Sequence, residues 1–151
     1  SWNLHGMVVR MLMEHTIVGV PRLKPEQIIY IGIRSYEPAE MSFILEQSIQ
    51  RITIEDWKAR REQSMNKLGS FIIGHNIHLS FDVDALDPAI MSSTGTPEPN
   101  GLHIDDFLDI VDILRQYGYH YATDIMELNP NLGDFPNSLE TLKEVVEYLH
   151  K

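Results

Sequence analysis

IHLSFDVDALDPAIMSSTGTPEPNGL, residues 77–102, is the stretch whose reading settles both the fold and the chemistry. It opens on an apolar run, Ile77 to Val83, that reads as a buried strand ending in Asp82 and Asp84. Side chains two apart in a strand point the same way, so these acids are expected to aim in one direction from the strand's end. Two carboxylates that close repel unless a cation lies between them, and ionised carboxylates closing a buried strand need compensating charge. A divalent metal site is therefore the first reading. Hard oxygen donors suit Mg²⁺ or Mn²⁺, and imidazole ligands added to them favour Mn²⁺. An Asp-x-Asp pair alone is also compatible with simple strand capping, with phosphohydrolases and with nucleotide-sugar transferases. The connection that follows, residues 85–101, is long for a link between strand and helix, and loops of that length are functional or disordered. Its Asp87–Pro88, Thr96–Pro97 and Glu98–Pro99 steps stiffen it, which favours function.

Outward from this stretch, strands and helices alternate. Ile28 to Ile33 is a continuous β-branched run, as in a parallel strand covered on both faces. Pro38 to Gln47 reads as a helix with proline in its first turn. Arg51 to Ile54 reads as a short strand, and Glu55 to Leu68 as one polar, solvent-facing helix. Ile104, Phe107, Leu108, Val111 and Leu114 recur at helical spacing opposite Asp105, Asp106, Asp109 and Asp112. Tyr119 to Ile125 is a further strand. Leu139, Leu142, Val145, Val146 and Leu149 mark a last helix, with Asn137 and Glu140 as a capping box. This order predicts an α/β fold, a three-layer αβα arrangement with a mostly parallel sheet. Ligand sites in such sheets lie beyond the carboxyl ends of the strands, where Asp82, Asp84 and Glu127 fall.

The 151 residues carry a formal net charge of −10 and 43% hydrophobic residues. Such a chain buries a real core, about 70% of its unfolded surface. Its acidity argues against nucleic acid or an anionic membrane as partner and suits cations, metal or guanidinium. The sequence has no cysteine, which excludes disulfides, zinc–thiolate sites and cysteine nucleophiles. It suits a reducing compartment, and the cytoplasm is the expected setting. The longest stretch free of Asp, Glu, Lys and Arg, Leu68 to Phe81, is too short to span a bilayer. Ser1 rather than Met opens the chain, so it is read as processed or cut.

The segment SFDVDALDPAIMSSTGTPEPNGL resembles the ureohydrolase family of arginase, agmatinase and their relatives, which carries SFDxDxxDP followed by TGTP and GGL. Ser1–Trp2–Asn3–Leu4–His5–Gly6–Met7 is similar to the family's SGNLHGM segment. Ile31 to Pro38 is similar to IGLRDVDP, and Asp124 to Pro130 to DIMEVNP. The resemblance covers nearly the whole chain. It implies that Asp82 and Asp84 are ligands of a pair of Mn²⁺ ions, that His5 shuttles protons and that Glu127 holds the substrate guanidinium. It also implies that Ser1, Asn3 and Thr96 lie along the amino-acid end of arginine. Glu37 stands where the family has an aspartate for the α-amino group and is one methylene longer.

The implied reaction is hydrolysis of arginine to urea and ornithine, with agmatine or another guanidino compound as the alternative substrate, in a complete enzyme expected to be a homo-oligomer. Asp105 and Asp106 stand where many members carry an Arg–Glu pair used between subunits. The family's chain is longer, and its N-terminal half carries further histidine and aspartate ligands. Residues 1–151 are accordingly expected to be the C-terminal half of one catalytic domain, supplying part of the metal site. An inactive fragment, or half of a split protein, is the alternative.

Overall fold

The computed structural model describes residues 8–14 and 19–151, without the side chains of His120 and Tyr121. In chain order its elements are α1 (Val8–Glu14), β1 (Ile29–Ile33), α2 (Pro38–Glu46), β2 (Gln50–Thr53), α3 (Ile54–Ala59), α4 (Arg61–Ile72), β3 (Asn76–Asp82), α5 (Ile104–Tyr117), β4 (Tyr119–Met126) and α6 (Phe135–Leu149). The described strands pair in parallel as two two-stranded sheets, β1 with β2 and β3 with β4. Each pair is joined through helices, as parallel pairing requires, and the expected α/β class holds.

One apolar core serves both sheets. Phe81 and Val83, Trp57 of α3, Leu68 and Ile72 of α4, Phe107, Val111 and Leu114 of α5, and Val145 of α6 are buried together, and Ile29 and Ile31 of β1 pack against them. The Phe81 and Phe107 rings meet at 4.3 Å between centroids, fixing α5 across β3.

β3 alternates rather than being covered throughout. Ile77, Leu79 and Phe81 turn towards the helices, while Asn76, His78 and Ser80 are exposed. On that outer face His78 Nε2 lies 2.8 Å from the Asp124 carboxylate across the ladder.

The polar segment after β2 is two helices, not one. Thr53 and Asp56 form a reciprocal capping box that starts α3 at Ile54, so β2 ends one residue earlier than its apolar pattern implies. Arg60 then leaves helical geometry at φ −138°, ψ 48°. The break lets α3 bury Ile54 and Trp57 while α4 separately buries Leu68 and Ile72, so this segment is part of the core rather than solvent-facing.

α6 also begins earlier than expected. Asp134 is its N-cap and accepts from the Asn137 N–H at 3.3 Å, so Asn137 is inside the helix.

The acids on α5 divide. Asp106 is 6% exposed yet fully engaged: it accepts from Trp57 Nε1 at 3.0 Å, from the His103 N–H at 2.9 Å and from Arg61. Arg61 also pairs with Asp109. Asp106 therefore ties α3, α4 and α5 together within the chain.

Candidate metal centre

The parallel strands bring their carboxyl ends to one side. Asp82 is the last residue of β3 and lies opposite Met126, so Glu127 follows one step beyond the end of β4. Asp84 is not in the strand. It sits in a 3-10 turn, Val83–Ala85, whose N-cap is Asp82. Strand alternation is thus not what groups the two acids. The Asp82 carboxylate accepts the Asp84 backbone N–H at 3.1 Å, and this local turn folds the second acid back beside the first.

The acids are fixed from the long loop. Thr96 Oγ1 donates to Asp84 Oδ2 at 3.0 Å. Two residues earlier, Thr94 forms an antiparallel bridge with Leu128, and the Asn129 N–H donates to the Ser93 carbonyl at 2.8 Å. The Ser93–Thr96 strip therefore holds both the Asp84 turn and the segment carrying Glu127. Glu127 has φ +65°, the left-handed region that a non-glycine residue occupies at a cost. The cost is accepted where the chain leaves β4 and turns onto this strip.

The loop's base is closed by the third acid of the motif. Asp87 accepts from the Ala89 and Gly101 N–H groups, each at 3.0 Å, and its own N–H donates to the Leu102 carbonyl at 2.9 Å. These bonds to backbone N–H groups offset its partial burial and hold the carboxyl below the usual carboxylate range. A Cβ on Gly101 would stand 2.4 Å from the Leu86 carbonyl carbon, so only glycine allows the two ends of the loop to touch.

Electrostatically the side chains of the centre concentrate negative charge. The Asp82 carboxyl is pushed up to about 6, first by burial and then by the negative charge of Asp84, with Glu127 adding to it. That concentration of acidic oxygen fits a hard divalent ion. Asp82 and Asp84 carry donors of the right kind, and among the described residues no group of three or more His, Asp or Glu side chains is arranged to hold a metal.

Of the other sequence candidates, Thr96 joins the acids directly. Glu37 is the N-cap of α2, just beyond the end of β1, with its N–H donating to Glu40 at 2.9 Å. Ser1, Asn3 and His5 lie outside the described residues. A groove of about 390 Å³ lined by Ile44, Ser48, Arg51 and Lys67 contains none of the candidate residues.

Two participants escaped sequence reasoning. Thr94 is 1% exposed and its hydroxyl has no partner among the described residues. Arg34, one residue past β1, donates through Nη2 to the Asp84 carbonyl at 2.5 Å and to the Glu98 carbonyl at 2.8 Å. Both stand in segments that carry the resemblance, Thr94 in TGTP and Arg34 in the stretch similar to IGLRDVDP, but neither is given a role by it.

Comparison with known proteins agrees with the resemblance in the sequence. The model of the Arginase family matches residues 1–149. Hepatic arginase of Aquarana catesbeiana is 33% identical over 148 residues, covering 89% of this chain and 46% of that protein. Arginase-1 of Sus scrofa is 34% identical over 151 residues, covering 91% of this chain and 47% of its own length. The crystal structure of Entamoeba histolytica arginase in complex with L-ornithine superposes with a TM-score of 0.85 at 26% identity, over 99% of this chain and 53% of that one. Native arginase from Bacillus caldovelox gives 0.85 at 25% identity, over 97% of this chain and 52% of the other. The chain thus spans about half the length of the curated relatives it matches. With its strand-end acids, its TGTP loop and this match over almost every residue, the chain belongs to the arginase family.

Proposed function

We propose that the protein hydrolyses the guanidino group of L-arginine to urea and ornithine with manganese, and that this chain supplies Asp82 and Asp84 as part of the metal site. The observation that carries the reading is the pair of strand-end carboxylates, folded together by the Asp82–Asp84 turn and held by Thr96. Acidic oxygens brought together in this way gain from a divalent cation, and Mn²⁺ is the choice if the remaining ligands include imidazole. The chain spans about half the length of its relatives; on this reading it is the C-terminal half of one catalytic domain, and the whole protein is a homo-oligomer working in the cytoplasm.

Manganese, when bound, supplies a Lewis acid that makes water nucleophilic near neutral pH. The chain's own residues would then position and protonate. Glu127, at the end of β4, pairs its carboxylate with the planar guanidinium, an arrangement that favours a two-point contact. Ser1, Asn3 and Thr96 line the amino-acid end of the substrate, and Glu37 offers its longer carboxylate to the α-amino group. Water adds to the guanidino carbon, the bond from that carbon to the ornithine nitrogen breaks, and His5 delivers the proton that the leaving nitrogen needs. Guanidinium is a poor electrophile because its charge is delocalised, so holding it in line contributes heavily.

The test is urea release from arginine and, separately, from agmatine by the full-length protein, with Asp82→Asn/Asp84→Asn as the control. Loss of arginine hydrolysis in the double variant is the expected result. Undiminished ureolysis would refute the metal role of the acids, and activity confined to agmatine would refute the substrate.

A further inference from the structure

Arg34 belongs to neither the β3–β4 ladder nor the loop that follows it, yet its guanidinium lies inside the turn that carries Asp84. Nη2 donates to the carbonyls of Asp84 at 2.5 Å, Glu98 at 2.8 Å and Leu86 at 3.4 Å. Nη1 reaches the Ala85 carbonyl at 3.4 Å, and Nε the Pro99 carbonyl at 3.3 Å. These partners are main-chain oxygens from two segments: the 3-10 turn after β3 and the part of the loop just past Thr96. Next to it, Ser35 Oγ donates to the Glu98 carboxylate at 3.3 Å. A planar fork with donors on several sides can bind two carbonyl rows at once, which a lysine ammonium cannot.

We infer that Arg34 is a positioning residue for the acid centre, locking the Asp84 turn and the Thr96 loop into one unit from the end of a different sheet. The geometry explains why the Thr96–Asp84 hydrogen bond can persist. Both of its ends hang on short backbone segments, and Arg34 bridges the two. Arg34 also stands three residues before Glu37, so the clamp links the end of β1, where Glu37 caps α2, to the end of β3. The inference deepens the proposed function: its consequence for metal affinity rests on Asp84 being a ligand, whereas its mechanical part does not.

The test compares Arg34→Lys with wild type in the full-length protein. In amide hydrogen exchange, the Asp84 and Leu86 N–H groups should lose protection in the variant, while the amides of β4 hold theirs. Unchanged exchange at Asp84 and Leu86 in a folded variant overturns the inference. Should the variant not fold, the wild type alone decides: the Arg34 Nε–H signal in NMR should be protected from solvent, and a freely exchanging signal overturns the clamp.

In Mn²⁺ titrations, Arg34→Lys should weaken binding by about 10- to 100-fold, as expected for a residue that orients a ligand rather than being one. Thr96→Val should cost much less on the Arg34→Lys background than on wild type, because both act on one carboxylate. Additive losses would overturn the coupling. If Asp82→Asn/Asp84→Asn leaves Mn²⁺ binding intact, the proposed function fails, and the exchange experiment still decides the role of Arg34.

Discussion

Asp82→Asn should raise the stability of the protein above pH 6 when no divalent metal is present. The Asp82 carboxyl titrates near 6 in the folded state against 3.8 as its ordinary value, because burial and the charge of Asp84 disfavour ionisation. The sign follows from linkage: a folded-state pKa above the unfolded one means the folded protein holds the proton more tightly. The contribution is fully present below pH 3.8 and is lost as pH rises through 6.

A shift of about two units corresponds to about 3 kcal/mol. Asp82 is only half-buried, and solvent screening reduces this to about 1–2 kcal/mol. Asparagine keeps an oxygen to accept the Asp84 N–H, so the turn survives while the charge goes.

Urea unfolding at pH 7.5 and at pH 4, with and without Mn²⁺, reads the effect. At pH 7.5 without metal the variant should be more stable by that amount. At pH 4 the two should nearly coincide. Added Mn²⁺ should stabilise the wild type and do little for the variant. A variant less stable than wild type at pH 7.5, or a difference that does not change with pH, would refute the electrostatic argument.

Three further substitutions probe the frame around the acids. Asp106→Ala leaves the buried Trp57 Nε1–H without an acceptor and takes from Arg61 one of its two carboxylate partners, Asp109 remaining, which should cost about 2–3 kcal/mol in chemical denaturation; a loss below about 0.5 kcal/mol would show that α3 and α5 do not depend on this hub. Gly101→Ala drives a methyl group into the Leu86 backbone and should cost more than about 2 kcal/mol while loosening the loop, visible as faster exchange of the Leu102 amide; an unchanged melting profile would mean the loop ends do not touch. Thr94→Val removes a buried hydroxyl without a partner among the described residues and should be neutral or stabilising by about 1 kcal/mol. A clear destabilisation would reveal a water or ligand bonded to that oxygen.

The strand ends were readable because their chemistry is local. β1, β3 and β4 announce themselves as β-branched or alternating runs, and the acids follow each run in the chain. The nearness of Asp82 and Asp84 has a different origin from the strand alternation that the sequence suggests: an Asp side chain capping the next turn brings the second acid round. The break at Arg60 was hidden because the residues around it are all good helix formers. It is set by Trp57, which must reach a core built largely from residues far along the chain. Asp106 looked like one more acid on a solvated helix face. Its burial depends on Trp57 and Arg61, almost fifty residues earlier in the sequence. Arg34 stands in the stretch similar to IGLRDVDP, but its contacts were illegible for the same reason, since carbonyl oxygens carry no side-chain signature and a residue that binds backbone leaves no partner to find.

The backbone at Glu127 has a consequence for anyone who would engineer this protein. Glycine or asparagine would sit at φ +65° more comfortably than glutamate does. Directed evolution scored on heat tolerance alone would therefore tend to exchange this carboxylate early, and the hardier descendants would be the ones without the acid at the end of β4.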